Sequence, residues 1–474
     1  VTLHAPVRRR GAYERAWPAP APPPARALGP PRGARHPQAF ASGVPIDLIV
    51  ILLACLALVL MNAIPTTLLT LLKIHYVSTG GAAYEKFHPA TYVSVLAFCV
   101  LLLRGGGPVA ELDRMISQAP LMLLYAFSIL LVLIQSVVLG RPVTSAVDTF
   151  VLPILVCLVV WSLSVSQRRP LVWTLHVLMI VNIGLGYFEY LSGHRIVPLA
   201  VGDQILTDEW RSTALFGHPL RAAGLVGAYT LALMLRPSLC RSLALRAPLI
   251  LLCIGSLFVF GGRTALVMVL ATVALLGAWA GFRLLRGART PLPVVLAGIC
   301  GTFLVAAAAL TLYDVGFLDK MMLRFTADNG SAYARVEALN LLTSLDARDL
   351  IFGSEAPHID SLQSLYGIRV GIEDFWIACI AQYGLIATVL LTIGLGCFFA
   401  ELLRRSHRAA TALMVFLVII AASSVSFSAK SVMLAQYVLI ILLLLAKDEA
   451  ARPARLHARA AKVIRPGVPR AWPR

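Results

Sequence analysis

A single arginine interrupts the apolar stretch FVFGGRTALVMVL at residues 258–270. A charged side chain at the centre of a bilayer costs roughly 2.5–3.5 kcal/mol, so Arg263 belongs at the end of an apolar run or holds something. Gly261 and Gly262 before it permit a tight turn. Thr264 after it offers a hydroxyl to cap a helix. An arginine beside a helix N-terminus suits an anion. The helix dipole favours negative charge there, and the planar guanidinium matches phosphate oxygens in pairs. The plainer reading is an interfacial arginine that snorkels to headgroups. GHPLRAAG (217–224) has a related form. His218 and Arg221 open another apolar run and can reach phosphate or sugar, or Arg221 can snorkel. His75, His88 and His176 read as interface or packing histidines. There is no Walker-type phosphate loop, no HExxH and no CxxC, so neither ATP hydrolysis, zinc proteolysis nor a structural metal is expected.

The elements that must position these residues are membrane helices. The chain of 474 residues is 59% hydrophobic and 14% charged, a composition that a soluble domain of this length does not have. Its mean hydropathy is +0.82. Continuous apolar runs of about twenty residues recur, each able to cross a hydrocarbon core as a helix. They do not alternate as barrel strands do. The fold class expected is an all-α polytopic membrane protein with twelve spans, at 46–72, 88–103, 119–139, 150–166, 171–191, 216–235, 247–260, 264–282, 292–313, 372–400, 409–422 and 430–446. Pro65 is expected to kink the first, its freed carbonyl satisfied by neighbouring helices. Residues 1–45, rich in Pro, Arg and Ala, read as a disordered tail, and 447–474 as a second basic tail.

Charge orients the spans. With both termini in the cytoplasm, the tails and the cytoplasmic loops hold 28 of the 41 Lys and Arg, and each of those loops carries at least two. That is the positive-inside pattern, and it makes a nucleic-acid reading of the net charge of +18 unnecessary. The one large loop, 314–371, then lies outside the cytoplasm. YARVEALNLLTSL (333–345) and HIDSLQSLY (358–366) within it have amphipathic helical spacing. A loop of this length in a compact protein is functional or disordered.

GGRTALV, a long outer loop with a central arginine, and a following helix with an acidic-aromatic start and QYGLIA resemble the bacterial O-antigen ligase and O-antigen polymerase superfamily. The resemblance covers residues 46–446. It implies about twelve transmembrane helices with a large periplasmic loop between the ninth and tenth, in the bacterial inner membrane. It also implies transfer of an undecaprenyl-diphosphate-linked glycan to a glycan or lipid acceptor, with no cofactor. Other polysaccharide-assembly proteins are further candidate partners. By the same resemblance Arg263 and Arg335 hold the lipid diphosphate, with Arg221 and His218 as further candidates, and LIFGSEAP (350–357) leads to the catalytic helix. For Arg335 the alternative is a neighbour of Glu337 on a solvated helix.

One departure separates the chain from the ligases. Their tenth membrane helix starts with a histidine, a polar residue, nine residues and a glycine. Here the frame reads EDFWIACIAQYG, with Glu373 and Asp374 at the first two positions and Gly384 at the last. This favours a polymerase branch. A base beside the acceptor hydroxyl is still required, and Glu373, Asp374 and His358 are the candidates. Glu373 and Asp374 can equally cap the tenth helix. A flippase or exporter of lipid-linked polysaccharide is the alternative function, and a scaffold subunit a third.

Overall fold

The computed structural model describes residues 45–447, leaving out 79, 105–106, 202–203, 207–209, 241, 288–302, much of 304–330, 369–370, 424–426 and 428. The expected tails, most of the ninth apolar segment and much of the first part of the large loop therefore lie outside the described residues. Seven described helices are long and apolar enough to cross a membrane. They are α1 (Ile46–Ala63), α5 (Leu121–Val138), α6 (Val143–Ser162), α7 (Arg169–Ser192), α9 (Leu243–Phe260), α10 (Arg263–Leu285) and α14 (Phe375–Arg405). Four shorter apolar helices join them: α3 (Pro89–Leu102), α8 (Pro219–Leu235), α15 (Ala410–Ala421) and α16 (Met433–Leu444). The protein is a helical membrane protein.

Two of the short helices form the centre. Nearly every residue of α8 and all of α16 are buried. A helix buried all round needs no polar face, and both sequences are apolar apart from Arg221 and Thr230 on α8 and Gln436 on α16. Small residues let partners close on α8. A Cβ at Gly224 would stand 2.5 Å from the Tyr437 hydroxyl, and one at Gly227 would stand 2.7 Å from the Phe416 ring. This close packing follows the small-residue rule of membrane bundles.

Proline and histidine set the helix boundaries. Residue Ile64 precedes Pro65, whose ring disfavours helical backbone before it, and α1 stops at Ala63. Pro65 then precedes the short α2 (Thr66–Leu71). His88 and His218 cap α3 and α8 in the same way. Each is followed by a proline at the first helical position, and each ring Nδ1 accepts from the amide two residues on, Ala90 at 3.1 Å and Leu220 at 3.2 Å.

Three features differ from expectation. Residues 108–118 form a helix, α4 (Pro108–Gln118), with Glu111 and Met115 buried one turn apart and Val109 exposed. Its polar composition hid it among the loops. Leu199–Val201 (β1) pairs antiparallel with Gln204–Leu206 (β2), so the chain is not purely helical. The cap position of α10 is Gly262, not Thr264, which lies inside the helix.

The later part of the large loop folds as three helices: α11 (Ser331–Thr343), α12 (Ala347–Phe352) and α13 (Ala356–Leu365). They build a second, smaller core. Ala338, Leu341 and Leu345 meet Ile359, Ile368, Ile372 and the α14 residues Ala378 and Ala381. The other face of the same α14 segment, through Phe375, Cys379 and Tyr383, belongs to the main bundle core. The start of α14 is thus held between the bundle and the loop helices.

Candidate functional site

Two glycines fix the loop helices against the bundle. Gly384 breaks α14 with φ 81° and ψ 166°. Gly353 follows α12 at φ 89°. Their backbones touch: a Cβ on Gly384 would lie 2.4 Å from Gly353 N and from the Phe352 carbonyl carbon. No L side chain fits that approach, and positive φ adds strain to any replacement. The end of α5 and the turn after it hold the flanking carbonyls. Gln135 Nε2 donates to the Phe352 carbonyl, and Arg141 donates to the Ser354 carbonyl from Nε at 3.2 Å and from a terminal nitrogen at 2.5 Å. Burial lowers the pKa of the Arg141 guanidinium from its ordinary value, with Tyr383 and Asp360 acting in the opposite sense.

This seating brings sequence-predicted residues together. Arg335 on α11 pairs with Glu373 just before α14, Nε to Oε2, at 3.4 Å. The Arg335 side chain remains 47% exposed and that of Glu373 only 21%. Asp374 is the helix cap: its Oδ1 accepts from Ile377 N at 3.0 Å. The two adjacent acids therefore do different work, one facing an arginine and one closing a helix end.

His358, in the first turn of α13, belongs to a compact polar cluster. Its Nδ1 lies 3.2 Å from Asp349 Oδ2 and 2.9 Å from Ser354 Oγ, and Ser354 Oγ donates to Asp349 Oδ2 at 3.1 Å. Its sequence neighbour Ile359 is in the loop core with Ala338 and Ala378. Hence α11, α13 and the start of α14 carry Arg335, His358 and Glu373 around one small core.

The arginines of the other stretches have different settings. Arg263 opens α10 directly after Gly262, and the φ of 65° at Gly261 makes the turn. It is half-buried, and α10 packs on α8, α9 and α15. Arg221 is only 8% exposed. Pro65 has no N–H, so the Met61 carbonyl four residues earlier loses its helical donor. Arg221 fills the gap, donating to Met61 O at 3.2 Å and to Gln436 Oε1 at 3.1 and 2.8 Å. Gln436 Nε2 donates to the same carbonyl at 2.8 Å and to Asn62 Oδ1 at 3.0 Å. This is the neighbour-supplied repair expected at a membrane proline. Arg221, expected at the donor diphosphate, is buried with its guanidinium hydrogen-bonded inside the bundle, and the Nδ1 of His218 is engaged as a cap.

Sequence reading missed a second polar cluster. A π-helical turn at Val147–Val151 within α6 carries Asp148, which is fully buried. Its carboxylate accepts from Tyr76 OH at 2.9 Å, Thr91 Oγ1 at 2.7 Å and His88 N at 3.1 Å. Lys430 lies 4.0 Å from it and 4.0 Å from the centre of the Tyr76 ring, and donates to the Tyr76 carbonyl at 2.9 Å. The signal was an aspartate at the edge of an apolar run. Among the described residues no group of three metal-ligating side chains converges.

No protein-family model matches the chain, and no curated protein matches it.

Proposed function

We propose that this protein transfers an undecaprenyl-diphosphate-linked glycan to an acceptor hydroxyl at the periplasmic face of the bacterial inner membrane, as a polymerase-like glycosyltransferase. The twelve-span topology with 314–371 outside the cytoplasm is part of this reading. The observation that carries it is the Arg335–Glu373 pair, on a loop helix that shares one core with the start of α14 and with the helix bearing His358. Departure of a lipid diphosphate creates negative charge, and a fixed guanidinium stabilises charge as it develops. Glu373 holds the Arg335 fork in one orientation, and the exposed part of that side chain faces a donor. Arg263, at the N-terminus of α10, adds a second cation for the diphosphate. Because Glu373 is engaged with Arg335 and Asp374 with a helix end, His358 is the base. It takes the acceptor proton as the oxygen attacks the anomeric carbon and the bond to the diphosphate oxygen breaks.

The test is transfer in proteoliposomes supplied with an undecaprenyl-diphosphate-linked oligosaccharide repeat, with products resolved by size. Wild type should give a ladder that stays lipid-linked, and Arg335→Ala should give none. Absence of any transfer by the wild type, with candidate acceptors added, would sink the enzyme reading. Movement of intact lipid-linked sugar across the same vesicles would put a flippase in its place.

A further inference from the structure

We infer that Asp349 is the positioning residue that makes His358 a base, by holding the ring proton on Nδ1 and leaving the Nε2 lone pair outward. The inference rests on the transfer reaction proposed above. A neutral imidazole carries its proton on one nitrogen, and the hydrogen bond made by that nitrogen decides which. Here Nδ1 faces Asp349 Oδ2 at 3.2 Å and Ser354 Oγ at 2.9 Å. A carboxylate only accepts, so it draws the proton to Nδ1. Ser354 Oγ gives its own hydrogen to the same Asp349 oxygen at 3.1 Å, which leaves its lone pairs for the imidazole N–H. All three polar groups are thereby satisfied with one proton arrangement. Among the described residues no hydrogen bond reaches Nε2, and the His358 side chain is 46% exposed, so that nitrogen is open to an acceptor.

The cluster is built rather than incidental. Asp349 lies on α12, Ser354 after it and His358 on α13. The positive φ of Gly353 folds α13 back so that the three meet. Ser354 is itself buried, and its carbonyl is anchored by Arg141 from the turn after α5. The bundle therefore fixes the orientation of a loop histidine through one backbone carbonyl. In the reaction the acceptor oxygen bonds to the anomeric carbon and its proton passes to Nε2. The electron pair of the broken bond leaves on the diphosphate. Asp349 keeps its charge and touches neither sugar nor phosphate.

The experiment uses the full chain in lipid nanodiscs with ¹⁵N-labelled histidine. Ring nitrogen shifts are read at a pH where the ring is neutral, and the His358 signals are assigned by their loss in His358→Gln. Wild type should show the Nδ1–H tautomer. Asp349→Asn can present an amide N–H to Nδ1, and should move the population toward the Nε2–H form. In proteoliposomes Asp349→Asn should lower kcat by about 10²-fold with the donor KM unchanged, and Asp349→Glu should recover part of it. An Nε2–H tautomer in the wild type overturns the inference. So does full transfer by Asp349→Asn or by His358→Gln while Arg335→Ala is inactive, a result that leaves the transferase reading standing. If the wild type transfers no glycan, the reaction and the role of Asp349 in it fall together, whatever the tautomer.

Discussion

Two arginines of this protein, Arg221 and Arg335, look alike in sequence and have opposite surroundings. Arg221 is 8% exposed, and its side chain repairs the carbonyl that Pro65 leaves unpaired. Arg335 keeps 47% of its side chain exposed and meets a carboxylate across a loop core. The first charge is engaged inside the bundle, by one backbone carbonyl and the Gln436 side chain. The second is held at one end and open at the other. A buried cation surrounded by neutral acceptors stabilises structure, whereas an exposed cation oriented by an anion remains able to bind one. Apolar context in the sequence does not separate the cases, because both arginines sit beside helix starts.

Changes at the seat of the loop helices should have the largest effect. Gly384→Ala forces a Cβ into the Gly353 backbone and adds positive-φ strain of about 1–3 kcal/mol. Limited proteolysis should then cut within 331–374 much faster than in the wild type, while the bundle stays intact. An unchanged cleavage pattern would mean that the two glycines do not hold the loop.

Next in size is Arg221→Met, which leaves the Gln436 amide oxygen and part of the Met61 carbonyl without donors. Removing a buried hydrogen-bonded charge of this kind should cost about 3 kcal/mol, read as a lower unfolding temperature in detergent. If the variant unfolds like the wild type and yet fails to transfer glycan, Arg221 belongs with the site and the contrast with Arg335 collapses.

The two acids before α14 sharpen the contrast at lower energy. Asp374→Ala removes a cap and should destabilise by about 1 kcal/mol, with Asp374→Ser restoring most of it. A loss of transfer that Asp374→Ser does not repair would instead make Asp374 part of the chemistry. Arg335→Ala should have the smallest effect on stability, within about 1 kcal/mol, because half-exposed ion pairs contribute little. Transfer should nevertheless be lost. A strongly destabilised Arg335→Ala would mark the pair as structural.

Much of this architecture was legible because membrane helices announce themselves locally. Eleven of the twelve apolar segments coincide with described helices, and the Pro65 break occurs where the proline demands it. The loop helices also lie over the two stretches expected to be helical, 333–345 and 358–366. The polar α4 was hidden because its side chains resemble those of a loop. Asp148 and Lys430 were missed for a different reason: each looks like an isolated charge, and only the fold brings them to one place.

The sequence by itself determined that this is a chain of apolar helices, where most of them start and stop, and which charges stand at their ends. Those outcomes depend on side-chain hydrophobicity and on proline and glycine backbone rules, which act within a few residues. Tertiary structure alone decided which charges are spent and which remain open. Arg221 finds its carbonyl on α1 and its amide on α16, Arg335 finds Glu373 across the loop core, and His358 finds Asp349 through the turn at Gly353. The physical reason is that a charge takes its role from partners and solvent within a few ångströms, and those neighbours are supplied by distant parts of the chain.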